Sequence, residues 1–496
     1  MLLRRTLPLA LAALLTACAT PQPTPRETLP AAVQQALAQA GVPADALAAV
    51  ALPLGHAAAP WRYRANVPMQ PGSAMKVVTS IVALDRLGPN HRGYTELRTA
   101  APLQGSELQG DLVLKGGADP ELDVARFWAL LVDLRQRGVQ HLRGDLLVDR
   151  TLFRPARMDL GRPPFDETPE FAYNVIPDAL QLAGSLLPLE ISSVEGTVRA
   201  STVPPLPGIE FTSSMALTDR ACKDWDDDWQ PAKVLRHEGR TQIELQGGFP
   251  KGCTQRTALQ LIDRQELTER LFRALWQELG GSWAGRAREA AAPEGTRLLV
   301  RHEGRPWGEV LRRMNKQSDN AQARLLFLSL GLARMAQAPQ ATTAELAAQE
   351  VRAWLAEQGI GDAGLVLDNG SGLSRSERVT PLQLASMLAA AWRGRHAAEL
   401  VMSLPVAGVD GTMRSRLKDS PATGWARLKT GTLRNVVALA GYVKDPQGRP
   451  WAVAMMVNHE RASHARPVLD ALVDRIARQG PGGAGGGGDG AGGGAE

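Results

Sequence analysis

The chain has 496 residues, 44% of them apolar, and carries a formal charge of +5. That length suggests two or three domains, and the apolar share is enough to build real cores. The positive balance is slight for such a length; it suits life near an anionic wall or membrane and makes no case for nucleic acid.

The first residues carry Arg4 and Arg5, an apolar run from Leu7 to Leu15, and then small residues. This is the pattern of a secretory signal peptide, too short to span a bilayer. Ala17-Cys18-Ala19 fits ordinary small-x-small cleavage. Leu15-Thr16-Ala17-Cys18 instead resembles a bacterial lipoprotein box, with Cys18 lipidated as the first mature residue. The second reading is preferred, because a cysteine there is otherwise unexplained. The signal then occupies 1–18, and 19–30 is a linker in which Pro21, Pro23 and Pro25 form a semi-rigid tether. Loss of the signal lowers the charge to about +3. No other segment is apolar for long enough to cross a membrane.

A short helix is expected over Ala31 to Ala40, closed by Gly41, followed by strands at Leu47 to Leu54 and Trp61 to Arg64. Pro71-Gly72-Ser73-Ala74-Met75-Lys76 then leads into an apolar helical run that ends near Gly88. Ser73 falls in the first turn and Lys76 three residues on, so the two side chains share a face. A serine hydroxyl needs a neighbouring base to become a nucleophile. A buried lysine, kept partly neutral by desolvation, supplies one, and the helix N-terminus offers N–H groups where negative charge develops. Ser-x-x-Lys alone is weak evidence, since a chain this long contains it roughly once by chance. Ser415-Arg416-Leu417-Lys418 is a second copy, in a segment too polar to be the same buried helix.

Between 94 and 293 the texture changes to short alternating runs, among them Gly110 to Leu114 and Gln242 to Gln246. Amphipathic helices are expected at Glu121 to Arg137 and Gln265 to Leu279. The interval reads as one or two inserted, largely β subdomains. It carries Cys222 and Cys253, for which a disulfide is the default reading in an exported protein, worth roughly 3–4 kcal/mol by loop closure. The rival, a metal site, lacks a close cysteine or histidine partner at ligand spacing. Arg-His-Glu-Gly-Arg at 236–240 and 301–305 looks like two similar turns.

Helical character is expected to return from Arg297, with helices at Thr343 to Glu357 and at Pro381 to Trp392, the latter capped by Thr380. Val436 to Val443 and Trp451 to Val457 form a hairpin, and a last helix covers Ala465 to Ile476. The glycine-dominated stretch 480–496 reads as a disordered tail.

Two further motifs give Ser73 and Lys76 their meaning. Ser318-Asp319-Asn320 sits between two helical patterns, and Lys429-Thr430-Gly431-Thr432 ends a strand pattern. Each is weak alone. In this order the three are the signature of penicillin-binding proteins and class A β-lactamases. Ser73 attacks a carbonyl and Lys76 takes its proton. Ser318 relays a proton to the leaving amine, and Asn320 orients Lys76 and the substrate amide. Lys429 lowers the pKa of Lys76 and steers an anionic substrate. Thr430 can bond a terminal carboxylate, and Gly431 leaves the strand edge open to a substrate backbone. The N–H groups of Ser73 and Thr432 form the oxyanion hole, each such donor being worth about 3 kcal/mol to the transition state.

With these motifs the chain resembles the class C low-molecular-mass penicillin-binding proteins, the D-alanyl-D-alanine carboxypeptidase/endopeptidase family. The likeness runs from about Pro53 to Asp470 and takes in Leu114 to Pro120, Asp368 to Arg375 and Gly408 to Arg414. The long interval between Ser73 and Ser318 leaves room for that family's insertion. The implied fold is α/β (α+β): a transpeptidase-like domain, 31–93 with 294–479, whose central antiparallel sheet is flanked by helices and interrupted by the β-rich insertion. The implied activity is a periplasmic serine peptidase cleaving D-Ala-D-Ala or D-Ala-diaminopimelate bonds of peptidoglycan stem peptides, and acylated by β-lactam antibiotics. No cofactor or metal is called for. Arg375 is the implied substrate-binding arginine, and Tyr173 with Asp166 the aromatic and acidic pair that hold the diaminopimelate end. Neither Asp166 nor Glu167 falls at the family's offset, and Val175-Ile176 stand where the family tends to have a small residue and a proline.

Some features are decoys. Glu170 to Asn174 mimics the Glu-x-x-x-Asn of a β-lactamase base but precedes Ser318 instead of following it. His459 and His464 are five apart, pointing about 140° away from each other on a helix, so they are not a zinc motif. Two other classes of function stay open at this level: a wall-anchored scaffold or antibiotic sensor that keeps the pocket with little chemistry, and a β-lactamase. Intact lysines at 76 and 429 favour the peptidase.

Overall fold

The computed structural model describes residues 29–237 and 239–481. The signal segment, Cys18, the proline tether and nearly all of the glycine-rich tail lie outside the described residues.

Five antiparallel strands in the order Arg427–Leu433, Val436–Lys444, Pro450–Asn458, Leu47–Pro53, Trp61–Tyr63 form the central sheet. Its middle strands are almost continuously apolar because helices cover both faces. On one side lie Ala31–Ala40 and Arg466–Gln479, packing Val33, Leu37, Leu469 and Val473 against Leu439 and Val453. On the other, Met75–Arg86 and Pro381–Arg393 set Val78, Val82 and Leu384 against Ala438 and Met456. Trp307–Gln317, Asn320–Gly331 and Thr343–Glu357 complete that layer.

Every residue from Met75 to Leu84 is buried, Lys76 included. A helix enclosed on all sides suits a sequence without a polar stripe. Helix starts follow the expected chemistry: Thr380 makes a capping box with Gln383 ahead of Pro381, and Thr342 one with Glu345.

A second core belongs to the interval between helix Met75–Arg86 and Trp307. Phe127, Leu131, Phe272 and Trp276, from helices Val124–Gln136 and Arg264–Glu278, pack against strands of several small sheets. The largest has the order Ala287–Glu289, Leu146–Asp149, Leu112–Gly117, Tyr94–Thr99, Arg297–Glu303. Cys222 and Cys253 are joined by a disulfide, with 5.4 Å between their Cα atoms.

Arg297–Glu303 departs from expectation: it is a strand, antiparallel to Tyr94–Thr99 with a bulge between Leu298 and Val300, and its Val300 sits in the second core. Helix begins only at Trp307. The pairing partner lies some two hundred positions upstream in sequence, out of reach of local pattern. The repeated pentapeptides also differ. The first lies where strands Trp229–His237 and Arg240–Pro250 meet, and the second leads from a strand towards a helix.

Candidate active site

The edge strand Arg427–Leu433 runs against the single 3-10 turn Gly72–Ala74 that opens the helix Met75–Arg86. Only glycine permits this approach at position 431, since a β-carbon there would run into the Pro71 carbonyl. A β-carbon placed on Gly72 would lie 3.1 Å from the Thr432 nitrogen, which puts that N–H beside the turn carrying Ser73.

Lys76 is fully buried, with Nζ 3.0 Å from Ser73 Oγ, 2.6 Å from Asn320 Oδ1 and 2.6 Å from the Ser371 carbonyl. Burial holds its pKa well below the ordinary lysine value, and the charge of Lys429 lowers it further; Asp319 and Glu377 pull the other way. A neutral amine has two N–H donors and one lone pair. Here the carbonyl oxygens of Asn320 and Ser371 take the donors, which leaves the lone pair for the Ser73 hydroxyl.

Ser318 ends the helix Trp307–Gln317 in the left-handed conformation, with φ 62°. Such a backbone is uncommon for serine. It turns the chain sharply enough for Asp319 to cap the next helix, accepting from Gln322 N at 2.9 Å. Lys429 Nζ donates to Ser318 Oγ at 2.9 Å and to the Thr430 carbonyl at 2.9 Å. Burial lowers the Lys429 pKa to about 7. Thr430 Oγ1 bonds Thr412 Oγ1 at 2.8 Å, and the loop holding Thr412 is tied back by an ion pair of Lys316 with Asp410. The five residues expected to carry the chemistry thus form two hydrogen-bonded groups, Ser73, Lys76 and Asn320 in one and Ser318 and Lys429 in the other.

The substrate-side residues are placed by the insertion and by the loop 368–377. Asn320 Nδ2 donates to the Tyr173 carbonyl at 2.9 Å. The Tyr173 hydroxyl donates to Asp166 Oδ2 at 2.9 Å, and Asn174 Nδ2 donates to Asp166 Oδ1 at 2.9 Å. The acid that sequence offset left unplaced thus meets the tyrosine across a turn. Arg375 lies over the Phe165 ring, 4.8 Å from its centroid, and donates to the Phe165 carbonyl at 3.0 Å. Both line a cavity of about 500 Å³, walled also by Arg324, Phe327 and Asn174. Glu170 is occupied elsewhere, accepting from Ala232 N at 3.0 Å. Among the described residues, no group of histidine, cysteine, aspartate and glutamate could hold a metal ion, and no helix is long and apolar enough to cross a membrane.

Sequence reasoning missed three contributors. Ser371 acts through its backbone carbonyl, which carries no side-chain signature. Glu377 is buried in the loop behind it, and Thr412 reaches Thr430 from another loop. Ser371 and Thr412 lie in stretches of family resemblance, and Glu377 lies two residues beyond one.

Comparison with known proteins fits this geometry. The model of the D-Ala-D-Ala carboxypeptidase 3 (S13) family matches residues 29–479. The chain belongs to that family. As an S13 protein it is a serine-type D-Ala-D-Ala carboxypeptidase. It is similar to the D-alanyl-D-alanine carboxypeptidase of Actinomadura sp. strain R39, with 31% identity over 84% of this chain and 78% of the relative. It is also similar to the D-alanyl-D-alanine carboxypeptidase DacB of Haemophilus influenzae, with 27% identity over 80% of this chain and 82% of the relative. The crystal structure of penicillin binding protein 4 (dacB) from H. influenzae shares the S13 fold seen here. Its TM-score is 0.71 at 22% identity, covering 89% of this chain and 99% of that one.

Proposed function

We propose that the chain acts on peptidoglycan in the periplasm through an acyl-enzyme on Ser73. The observation that carries this is the buried Lys76 amine 3.0 Å from the Ser73 hydroxyl. Lys76 takes the hydroxyl proton as Oγ bonds the penultimate D-alanine carbonyl carbon. The N–H groups of Ser73 and Thr432 stabilise the oxyanion. As the intermediate collapses the C–N bond breaks, and the proton that Lys76 took passes to the leaving amine by way of the Ser318 hydroxyl, which Lys429 holds, so that Lys76 is neutral again. Water then attacks the ester, again losing a proton to Lys76, and frees the shortened stem peptide. A β-lactam follows the same first step, its ring C–N bond being the one that breaks.

Thr430, with Lys429 behind it, receives the terminal carboxylate, and the open edge at Gly431 receives the substrate backbone. Asp166 and Tyr173 hold an ammonium-bearing diaminopimelate end while Arg375 faces its carboxylate. The same site thereby takes D-Ala-diaminopimelate cross-links as well as D-Ala-D-Ala ends. Cys18 as a lipid anchor would tether the enzyme to the membrane, and the mass of the mature N-terminus tests it.

Digestion of purified muropeptides tests the function. Monomeric pentapeptides should lose D-alanine, and cross-linked dimers should be resolved to monomers. Penicillin acylation without either product would leave the scaffold or sensor reading, and rapid nitrocefin turnover would mark a β-lactamase.

The charge on Lys429 makes a second prediction. Its ammonium is present below about pH 7 and is lost above it. Apparent affinity for carboxylate-ended peptides should therefore weaken as pH rises through neutrality, measured as a rising KM from pH 6 towards pH 9. A KM flat across that interval would remove Lys429 from substrate binding.

A further inference from the structure

Glu377 follows the segment Asp368–Arg375 and is fully buried, yet no step above uses it. Its Oε1 accepts from the N–H groups of Gly370 at 2.8 Å, Asn369 at 3.0 Å and Asp368 at 3.3 Å. Its Oε2 accepts from Gly372 N at 2.9 Å. One carboxylate thus gathers four backbone donors and folds the loop around itself.

The outer side of that loop faces the chemistry. The Gly370 carbonyl accepts from Thr79 Oγ1 on the nucleophile helix at 2.7 Å, and the Ser371 carbonyl lies 2.6 Å from Lys76 Nζ. Gly372, at φ 84°, packs so closely on the Ser73 turn that a β-carbon there would strike the Gly72 carbonyl. The acidic side chain and Ser73 are therefore separated by one layer of backbone.

We propose that Glu377 is a positioning residue for acylation, its carboxylate fixing both the Ser371 carbonyl that orients Lys76 and the Gly372 backbone that braces the Ser73 turn. This rests on Ser73 and Lys76 being nucleophile and base. Charge supports the geometry. Lys76 on its helix and Arg324 on Asn320–Gly331 are the cations that sense Glu377, and Asp368 is the acid beside it. Around Lys76 itself stand Lys429 from the edge strand, Asp319 from the preceding cap and Arg324. Burial raises the Glu377 pKa, while the N–H groups of Gly370, Asn369 and Asp368 pull it down. In its ionised form it is a source of negative potential that favours a proton on Lys76, so removing it makes the amine easier to deprotonate.

Glu377→Gln keeps the shape but turns an NH2 group towards N–H donors. With fluorescent penicillin and the full-length protein, its acylation rate constant should fall about a hundredfold, the scale expected for a small misplacement of reacting groups. Its non-covalent affinity for penicillin should change little, and the acid limb of its pH–rate profile should move to lower pH. Glu377→Asp retains the charge but withdraws it by one methylene; it should acylate more slowly with the acid limb in place, and it serves if the glutamine variant cannot be purified. A wild-type rate in either variant, or a slower glutamine variant with an unmoved acid limb, overturns the proposal. Ser73→Ala is measured alongside. Labelling retained there would sink the nucleophile assignment, whereas labelling lost there with wild-type kinetics in Glu377→Gln sinks the positioning role alone.

Discussion

Ser73→Ala is expected to abolish covalent labelling by fluorescent penicillin while leaving the protein folded. The serine hydroxyl bonds Lys76, and the position is only partly buried. Removing one hydrogen bond should alter stability by about 1 kcal/mol, seen as a small change in Tm. The chemistry, in contrast, has no substitute. The other Ser-x-x-Lys cannot stand in, because Leu417 has φ 60° and no helix runs through Ser415 to Lys418, so those two side chains are not stacked on one face. Labelling that persists at full intensity in a folded variant would place the nucleophile elsewhere.

Lys76→Ala should slow acylation by about 10²–10⁴-fold, the range general-base catalysis supplies. Ser73 keeps its place in the turn, so slow labelling should remain visible at long times. Two acceptors, Asn320 Oδ1 and the Ser371 carbonyl, lose their donor in the interior. Leaving such groups unsatisfied costs about 1–3 kcal/mol, so a lower Tm should accompany the slower rate. A time course of labelling at several penicillin concentrations resolves non-covalent binding and the acylation step that follows it. An unchanged acylation constant would mean that another group removes the proton, with Lys429 the next amine to examine.

Much of the catalytic body was legible in the sequence. Its elements are bounded by local chemistry: Gly41 closing a helix, Thr380-Pro381 opening one, Asp445 to Gly448 turning a hairpin. The motif residues stood out because the chemistry expected of them demands particular functional groups. What stayed hidden depends on contacts distant in the chain or on backbone atoms. Arg297–Glu303 reads as the return of helix until Tyr94–Thr99 lies beside it and pairs it as a strand. Asp166 reaches Tyr173 because the intervening turn is shaped by Thr168, whose hydroxyl lies 2.7 Å from the tyrosine oxygen; sequence offset alone does not express that. The Ser371 carbonyl could be found only with coordinates, since every residue has one.

The seam between the insertion and the catalytic body has a mechanical consequence. Arg154 N bonds Thr343 Oγ1 at 2.8 Å, the Tyr173 carbonyl is held by Asn320, and the Val175 carbonyl by Arg324 at 3.1 Å. The insertion is stitched to the rest of the chain at the very amide that holds Lys76. A shift of the Tyr173 backbone would therefore reach the Lys76 amine through two hydrogen bonds of a single side chain, Asn320.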